Sequence, residues 1–188
     1  MAQRCEWCGQ DPLYVAYHDE EWGVPERDSR ALYEKLVVDG FQAGLSWITI
    51  LRKRPAFRAA FAGFDPNHLA QWGEADVARC LADPGIVRHR GKIEATITNA
   101  RAWQKIEAQG GFDRFLWDRV GGAPIQNRFS HRAEVPTETD LSRRISRDLK
   151  AAGFKFCGPT IVYAFMEAVG MVNDHMVTCP AHDRVAVL

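Results

Sequence analysis

The sequence of 188 residues lacks the features that would place it in a membrane or in the secretory pathway. No apolar run approaches the roughly 18 residues that a membrane-spanning helix needs. The first residues also lack the charged-then-apolar pattern of a secretion signal. We therefore expect a cytoplasmic protein that does not act at a membrane.

An excess of charge of either sign is missing too, because 24 lysines and arginines balance 24 aspartates and glutamates. The net charge therefore neither indicates nor excludes a nucleic-acid partner, and only local clusters can decide. Five cysteines, an odd number, occur without a secretion signal, so a disulfide framework is not expected and attention shifts to metal binding. A hydrophobic fraction of 46% suffices for a folded core.

Strand patterns are also missing, and the chain shows short helices that begin at prolines or capping residues and end at glycines. Asp28 is expected to cap one helix, which Gly40 interrupts. Pro55 is expected to open another helix, and Thr137 to cap a later one. The sequence thus predicts an all-α protein with one domain over residues 1–188.

A helix, a hairpin and a second helix are predicted over residues 141–169, with Gly153 and Gly158 at the two ends of the hairpin. Glycine lets the backbone approach a phosphate, and the following helix N-terminus offers unpaired N–H groups. Such a hairpin binds one DNA strand without reading bases. The alternative is an ordinary pair of packed helices. The lysines and arginines in or near this unit are Arg143, Arg144, Arg147, Lys150 and Lys155. Basic clusters at 52–54 and 88–92 are more often solvated surface when taken alone.

Two short pairs of potential metal ligands lie at opposite ends of the chain. Cys5 and Cys8 form C-x2-C, and His175 and Cys179 form H-x3-C. His18 competes with Cys8 for one position, and spacing does not choose between them. The alternative is that one cysteine is a small buried side chain. Because four protein ligands close a zinc site, such a site would be structural and would join the two terminal segments.

Aromatic side chains crowd the N-terminal segment, where aliphatic residues are few. A base swung out of DNA stacks on flat faces. If that base is alkylated on a ring nitrogen it is cationic, so aromatic faces and a carboxylate attract it. Asp39 is the available carboxylate. The alternative is that the aromatic residues only complete a small core. Those of the N-terminal segment are Trp7, Tyr14, Tyr17 and Trp22, and Trp47 lies eight residues after Asp39.

Five stretches of the chain resemble one known family, the bacterial 3-methyladenine DNA glycosylase I enzymes. They read QDPLYVAYHDEEWGVP, FQAGLSWITIL, PGIVRHRGKIEATITNA, GFKFCGPTIVYAFMEAVG and VNDHMVTC, and the resemblance extends from Cys5 to Cys179. It implies a helix-hairpin-helix DNA glycosylase fold with a single catalytic domain. It also implies a monomeric, monofunctional base-excision repair enzyme without a lyase step. The enzyme would flip an alkylated adenine out of double-stranded DNA, hydrolyse the N-glycosidic bond and release free 3-methyladenine.

The same resemblance implies roles for individual residues. One structural Zn²⁺ per chain would be held by Cys5, His18, His175 and Cys179, which makes Cys8 a bystander. The flipped base would lie among the five aromatic residues, with Asp39 as the catalytic and base-binding carboxylate. We further expect DNA contacts at both the hairpin and the segment near the gap left in the duplex. These positions are Gly44, Leu45, Ser46, Gly153, Lys155, Gly158 and Thr160.

Two features qualify this expectation. The family pattern has glutamate where this chain has Asp39, which is one methylene shorter. Helix-hairpin-helix glycosylases generally carry a catalytic aspartate after the second helix, and Asn173 occupies its place here, while Asp174 is expected to cap a helix. A strong base is not required, because N3-alkylated adenine is a cationic leaving group. The rival interpretations are a non-catalytic zinc-stabilised DNA-binding module, a broader alkylpurine glycosylase, and a metallohydrolase with an open coordination position.

Overall fold

The computed structural model describes residues 3–188 and is mostly helical, as predicted. Two strands of two residues, β1 (Ile125–Gln126) and β2 (Val172–Asn173), pair in parallel in the described chain. The α-helices are α1 (Pro12–Glu20), α2 (Ser29–Gln42), α3 (Trp47–Ala60), α4 (Pro66–Leu69), α5 (Glu74–Ala82), α6 (Arg90–Glu107), α7 (Phe112–Trp117), α8 (Asp140–Ala151), α9 (Pro159–Ala168) and α10 (Pro180–Ala186).

Polar capping residues mark the starts of several helices. Asp28 caps α2, where its carboxylate accepts hydrogen bonds from the backbone N–H groups of residues 30 and 31. The cap predicted at Thr137 is wrong by two residues. Thr139 caps α8 instead, and its Oγ1 accepts from the Ser142 N–H at 3.1 Å while Ser142 Oγ accepts from the Thr139 N–H at 2.9 Å.

Two predicted interruptions are absent from the described helices. Gly40 does not break α2, which continues to Gln42, and Pro55 lies inside α3 rather than at its start. A proline removes one N–H from the helix ladder, and here tertiary packing outweighs that loss. Gly40 has a packing role, since a Cβ there would lie 3.2 Å from the Phe156 carbonyl oxygen. The glycine therefore lets the hairpin pack closely on α2.

Three groups of buried residues make up the core. The largest draws apolar side chains from α2, α3, α6, α8 and α9. A smaller group contains Tyr17, Trp22, Leu51 and Ala168, and a third surrounds Cys5 and Cys179. The two smaller groups lie where the N-terminal segment meets the C-terminal half of the chain, so the predicted site residues are held between the chain ends.

The helix-hairpin-helix unit predicted over residues 141–169 falls on two helices and the turn between them. Its helices are α8 and α9, and residues 152–158 form the hairpin. Gly153 has a φ of +105°, in the region that glycine tolerates. None of the helices in the described part of the chain is long and apolar enough to cross a membrane.

Candidate active site

The structure brings four potential metal ligands together from both ends of the chain. Cys5, His18, His175 and Cys179 are all buried, and their ligand atoms lie within 4.8 Å of one another. Sγ of Cys5 is 3.6 Å from Nδ1 of His175, and Sγ of Cys179 is 3.6 Å from Nε2 of His18. Zn–S bonds of about 2.3 Å and Zn–N bonds of about 2.0 Å in a tetrahedron imply S···N separations of about 3.5 Å. The cluster could therefore hold one metal ion with little movement.

Hydrogen bonds outside the cluster orient both imidazoles. Nδ1 of His18 lies 2.8 Å from Oδ1 of Asp19, and Nε2 of His175 lies 3.0 Å from the carbonyl oxygen of Trp22. Each ring therefore donates outward and leaves its other nitrogen toward the cluster, as metal-binding histidines generally do. The hydrogen bond with Cys5, together with those from both imidazoles, holds the pKa of the Cys179 thiol well below its usual range, while the same bond and burial raise the pKa of the Cys5 thiol.

Cys8 lies outside the cluster. Its thiol is buried and donates to the carbonyl oxygen of Cys5 at 3.2 Å. Of the two residues that spacing left open, His18 lies in the group of potential metal ligands and Cys8 does not.

The five predicted aromatic residues also come together. The Trp7 ring lies 5.0 Å from Tyr14 and 4.9 Å from Trp22, and the Tyr17 ring lies 5.3 Å from Trp47. These five side chains are called the aromatic cluster below.

Trp22 connects the aromatic cluster to the four potential metal ligands. The Trp22 ring stacks on His18 at 6.3 Å and meets the edge of His175 at 4.6 Å. This approach requires glycine at the next position, since a Cβ on Gly23 would lie 2.9 Å from Nε2 of His175. A metal bound by the two histidines would thus fix one side of the aromatic cluster.

Asp39 lies on α2 beside these rings and is 4% exposed. Its Oδ1 accepts a hydrogen bond from Nζ of Lys35 at 2.5 Å. Burial raises the pKa of Asp39, while the charge and hydrogen bond of Lys35 oppose that shift.

Three buried side-chain polar atoms in residues 3–188 have no hydrogen-bond partner. They are Oδ2 of Asp39, Nε1 of Trp7 and Nε1 of Trp47. An unpaired buried polar atom costs about 1–3 kcal/mol and is rare in folded proteins. All three belong to the aromatic cluster or to the carboxylate beside it. One acceptor and two donors in this part of the protein thus lack a partner.

Lys35 is the site residue that sequence reasoning missed. Its ammonium lies 3.8 Å from the centroid of the Trp47 ring and 5.8 Å from that of Tyr17. Its side chain is 18% exposed and borders a cleft of about 240 Å³ that Tyr17 and Trp47 also line. The spacing of Lys35 and Asp39 in the sequence could have indicated this ion pair, because residues four apart are neighbours on one face of a helix.

The segment between α2 and α3 carries the residues predicted near the DNA gap. Gly44 has a φ of +85°, and Leu45 is 40% exposed, which is unusual for a large apolar side chain. Nζ of the buried Lys92 donates to the carbonyl oxygens of Phe41 and Ala43 at 2.9 Å each. Lys92 therefore anchors the end of α2 from which the segment projects.

The hairpin is held from α6 by one side chain. Asn99 accepts from the Lys155 N–H at 2.7 Å and donates to the Lys155 carbonyl oxygen at 3.1 Å. Gly158 caps α9, and the Thr160 hydroxyl donates to Glu138 at 3.4 Å. The Lys155 side chain is exposed. The hairpin backbone is thus fixed in shape while its basic side chain reaches solvent.

Comparison with known proteins gives the family. The model of the methyladenine glycosylase family matches residues 7–182 of the chain. The chain belongs to that family. It is 52% identical to DNA-3-methyladenine glycosylase 1 of Escherichia coli K12, over 94% of this chain and 95% of the relative. It is 45% identical to DNA-3-methyladenine glycosylase of Haemophilus influenzae, over 96% and 98% of the two chains.

Solved structures agree with this assignment. A crystal structure of 3-methyladenine DNA glycosylase I superimposes with a TM-score of 0.94 at 52% identity, covering 96% of this chain and 100% of the other. The Staphylococcus aureus enzyme, solved to explain 3-methyladenine recognition, has a TM-score of 0.92 at 42% identity, covering 95% of each chain. The predicted family and fold are confirmed, and this methyladenine glycosylase is an enzyme of the class that hydrolyses N-glycosyl bonds.

The expected helix cap at Asp174 is wrong. In this methyladenine glycosylase Asp174 is buried and accepts hydrogen bonds from the Tyr163 hydroxyl at 2.7 Å and the Asn127 amide at 2.6 Å. The next helix begins only at Pro180, so no helix start lies close enough to use its carboxylate. Asn173 donates to the His182 carbonyl oxygen at 3.0 Å and pairs with Gln126 in the other strand. It therefore stabilises the contacts of β2 with β1 and α10.

Ion pairs engage several of the basic residues noted in the sequence. Arg52 donates to Asp11 at 2.6 Å and Arg54 to Glu21 at 2.5 Å, so the cluster at 52–54 ties α3 to α1 and the turn after it. Arg143 pairs with Glu138 and Asp140. In this methyladenine glycosylase these arginines are engaged within the protein.

Proposed function

We propose that this protein is a monofunctional 3-methyladenine DNA glycosylase that flips the damaged base into the aromatic cluster. One observation carries the proposal. A buried carboxylate, Asp39, keeps one oxygen unpaired beside the aromatic cluster, whose rings meet edge to face or tilted and include two unpaired indole N–H groups. That combination suits a flat base that donates hydrogen bonds from its edge.

Recognition follows from these groups. The exocyclic amino group of adenine donates, so Oδ2 of Asp39 is its natural acceptor. Stacking on an aromatic face contributes about 1–3 kcal/mol per base, and a cationic base gains a further cation–π attraction. The faces come from Trp7, Tyr14, Tyr17, Trp22 and Trp47. Selectivity then depends on fit and on the carboxylate.

The chemistry demands little of the protein. In N3-methyladenosine the base is cationic, so when the C1′–N9 bond breaks the bonding electron pair neutralises the base. Water adds to C1′ and loses a proton, which completes hydrolysis without a covalent intermediate. Because water completes the hydrolysis, no lysine nucleophile is needed, and we expect no lyase step. The role of Asp39 is to hold and orient the departing base.

DNA binding in this proposal uses two surfaces. The exposed Leu45, between Gly44 and Ser46, fills the gap that the flipped base leaves in the duplex. The hairpin residues Gly153, Lys155, Gly158 and Thr160 bind phosphates through backbone N–H groups and one ammonium. The Thr160 hydroxyl exchanges its bond to Glu138 for a phosphate oxygen.

We propose zinc as the ion for Cys5, His18, His175 and Cys179. Two thiolates and two imidazoles at these separations form a tetrahedral donor set that Zn²⁺ prefers. Four protein ligands leave no open position, so the ion supplies structure. It joins the N-terminal segment to the C-terminal segment and holds Tyr17, the neighbour of His18, in the aromatic cluster.

Base release from DNA treated with a methylating agent tests the proposal. Purified protein is incubated with the DNA, and the freed bases are separated and identified. We expect 3-methyladenine to dominate. Dominant 7-methylguanine would favour a broader alkylpurine glycosylase, and DNA binding without release would favour a non-catalytic module.

A further inference from the structure

The loop of residues 127–134, which follows β1, carries two arginines that the proposed site does not use. Arg128 and Arg132 are both exposed. Arg52, Arg54 and Arg143 pair with carboxylates, whereas neither arginine of this loop forms an ion pair within residues 3–188. The loop therefore presents cations to solvent and to any anionic partner.

Hydrogen bonds fix the backbone of this loop. The Phe129 carbonyl oxygen accepts from the Val177 N–H at 2.9 Å, which ties the loop to the segment between two of the potential metal ligands. Glu134, the acidic residue of the loop, accepts from the backbone N–H groups of residues 130 and 131 at 2.7 and 3.3 Å. The arginine side chains therefore project from a backbone of defined shape.

The loop lies beside the aromatic cluster. Met176, in the segment to which the loop is tied, and Trp7 pack against the same buried group of residues, and the Trp7 ring lies 5.0 Å from that of Tyr14. Burial raises the pKa of Tyr14, and the nearby charge of Arg132 opposes that shift. Arg132 also acts on the partly buried Glu167, although the two form no ion pair. Its guanidinium is thus close to the rim of the proposed base site.

Other cations around the aromatic cluster are paired with carboxylates. Lys35 pairs with Asp39, and Arg54, which lines the same cleft, pairs with Glu21. A paired cation has to lose its partner before it binds a phosphate, whereas an unpaired one does not. Arg132 is therefore better placed than these two to receive a phosphate near the base.

We propose that Arg132 binds a backbone phosphate of the damaged strand next to the flipped nucleotide. This inference rests on the proposed function. A flipped base stays bonded to its sugar until release, so the phosphates on both sides of that sugar lie near the rim of the aromatic cluster. A guanidinium donates two parallel hydrogen bonds to phosphate oxygens and neutralises one charge. Arg132 is then a positioning residue on a third DNA-binding surface, separate from Leu45 and the hairpin.

Binding to a duplex with an abasic site, measured over a range of salt concentrations, tests this contact. Each neutralised phosphate contributes about 0.9 to the slope of log affinity against log salt, so we expect the slope to fall by about 0.9 in Arg132→Gln and to be kept in Arg132→Lys. Arg114→Gln is the matched control. Arg114 is exposed on α7, which Asp113 and Ser29 join to the start of α2, away from Leu45 beyond its end. Its slope should equal that of the wild type, and thermal unfolding should be the same for all variants.

Duplexes with one uncharged methylphosphonate in place of a phosphate locate the contact. At one position beside the abasic site, the replacement should weaken binding by the wild type about threefold or more and leave Arg132→Gln nearly unaffected. The inference is wrong if Arg132→Gln keeps the wild-type salt slope, or if every position weakens both proteins by the same factor. Release of 3-methyladenine by the wild type would then still support the proposed function. If the wild type neither releases 3-methyladenine nor binds the abasic duplex, both proposals are wrong.

Discussion

Replacing His18 with alanine tests the proposed zinc site and its connection to the aromatic cluster. His18 is fully buried, its Nε2 faces Sγ of Cys179, and its ring stacks on Trp22. The substitution removes one of four ligands and leaves the other three buried. We expect the purified variant to hold much less zinc than one ion per chain.

The stability effect can be estimated from linkage. If losing one ligand weakens zinc binding by about 100- to 1,000-fold, the folded state loses about 2.7–4.1 kcal/mol of stabilisation. For a chain of this size about 1 kcal/mol corresponds to roughly 2–4 °C in Tm, which gives a decrease of about 5–16 °C. Tyr17 adjoins the lost ligand, so base release should also slow.

The measurement combines native mass spectrometry, for zinc content, with thermal unfolding. Cys8→Ser is the first control, because Cys8 is buried but only donates to a backbone carbonyl, and a serine hydroxyl can do the same. His182→Ala is the second, since it removes a buried imidazole that lies outside the cluster. Both controls should keep one zinc ion. Full zinc content in His18→Ala, or its loss in Cys8→Ser, would refute the ligand assignment.

Three further substitutions probe the framework around the site. Leu45→Ala should slow base release from duplex DNA several-fold while leaving the affinity for free 3-methyladenine unchanged; a calorimetric change would count against the gap-filling role. Asn99→Ala removes both bonds to the Lys155 backbone and should cost about 1–3 kcal/mol in denaturant unfolding, with weaker binding to abasic duplex. Gly170→Ala should cost more than about 2 kcal/mol, because φ is +70° and the new Cβ would lie 2.6 Å from the backbone of Val24 and Pro25. Gly73→Ala, where a Cβ meets open space, should cost clearly less than Gly170→Ala when both are compared by thermal unfolding, because it loses only the preference for glycine over alanine at a helix N-cap.

Local chemistry made much of the fold predictable. The aspartate cap at Asp28 placed the start of α2 correctly, and the glycines of the hairpin marked the turn between α8 and α9. The interruption expected at Gly40 failed for a tertiary reason. The glycine serves close packing against Phe156, and periodicity within one helix does not reveal which distant backbone approaches it.

The site was predictable where residue type alone carries the chemistry. The cysteines and histidines indicated a metal site, and the tryptophans and tyrosines indicated an aromatic cluster. Spacing alone could not choose between His18 and Cys8 as a ligand. That choice depends on α1, which turns His18 toward Cys179 across 161 residues of sequence. The roles of Lys35 and Asp174 depend on burial and on partners distant in sequence, so a helix-cap reading of Asp174 missed its bond to Tyr163.

The most direct test of the central claim is Asp39→Asn. Asparagine keeps the size of the side chain but replaces one carboxylate oxygen with an amide, so the site loses its charge and much of its capacity to accept from the base. Single-turnover release of 3-methyladenine and binding to abasic duplex are measured together, with Asp39→Glu as the variant that keeps a carboxylate. We expect release by Asp39→Asn to fall at least tenfold, equivalent to about 1.4 kcal/mol of transition-state stabilisation, with DNA affinity nearly unchanged and Asp39→Glu active. Release at the wild-type rate by Asp39→Asn would contradict the account.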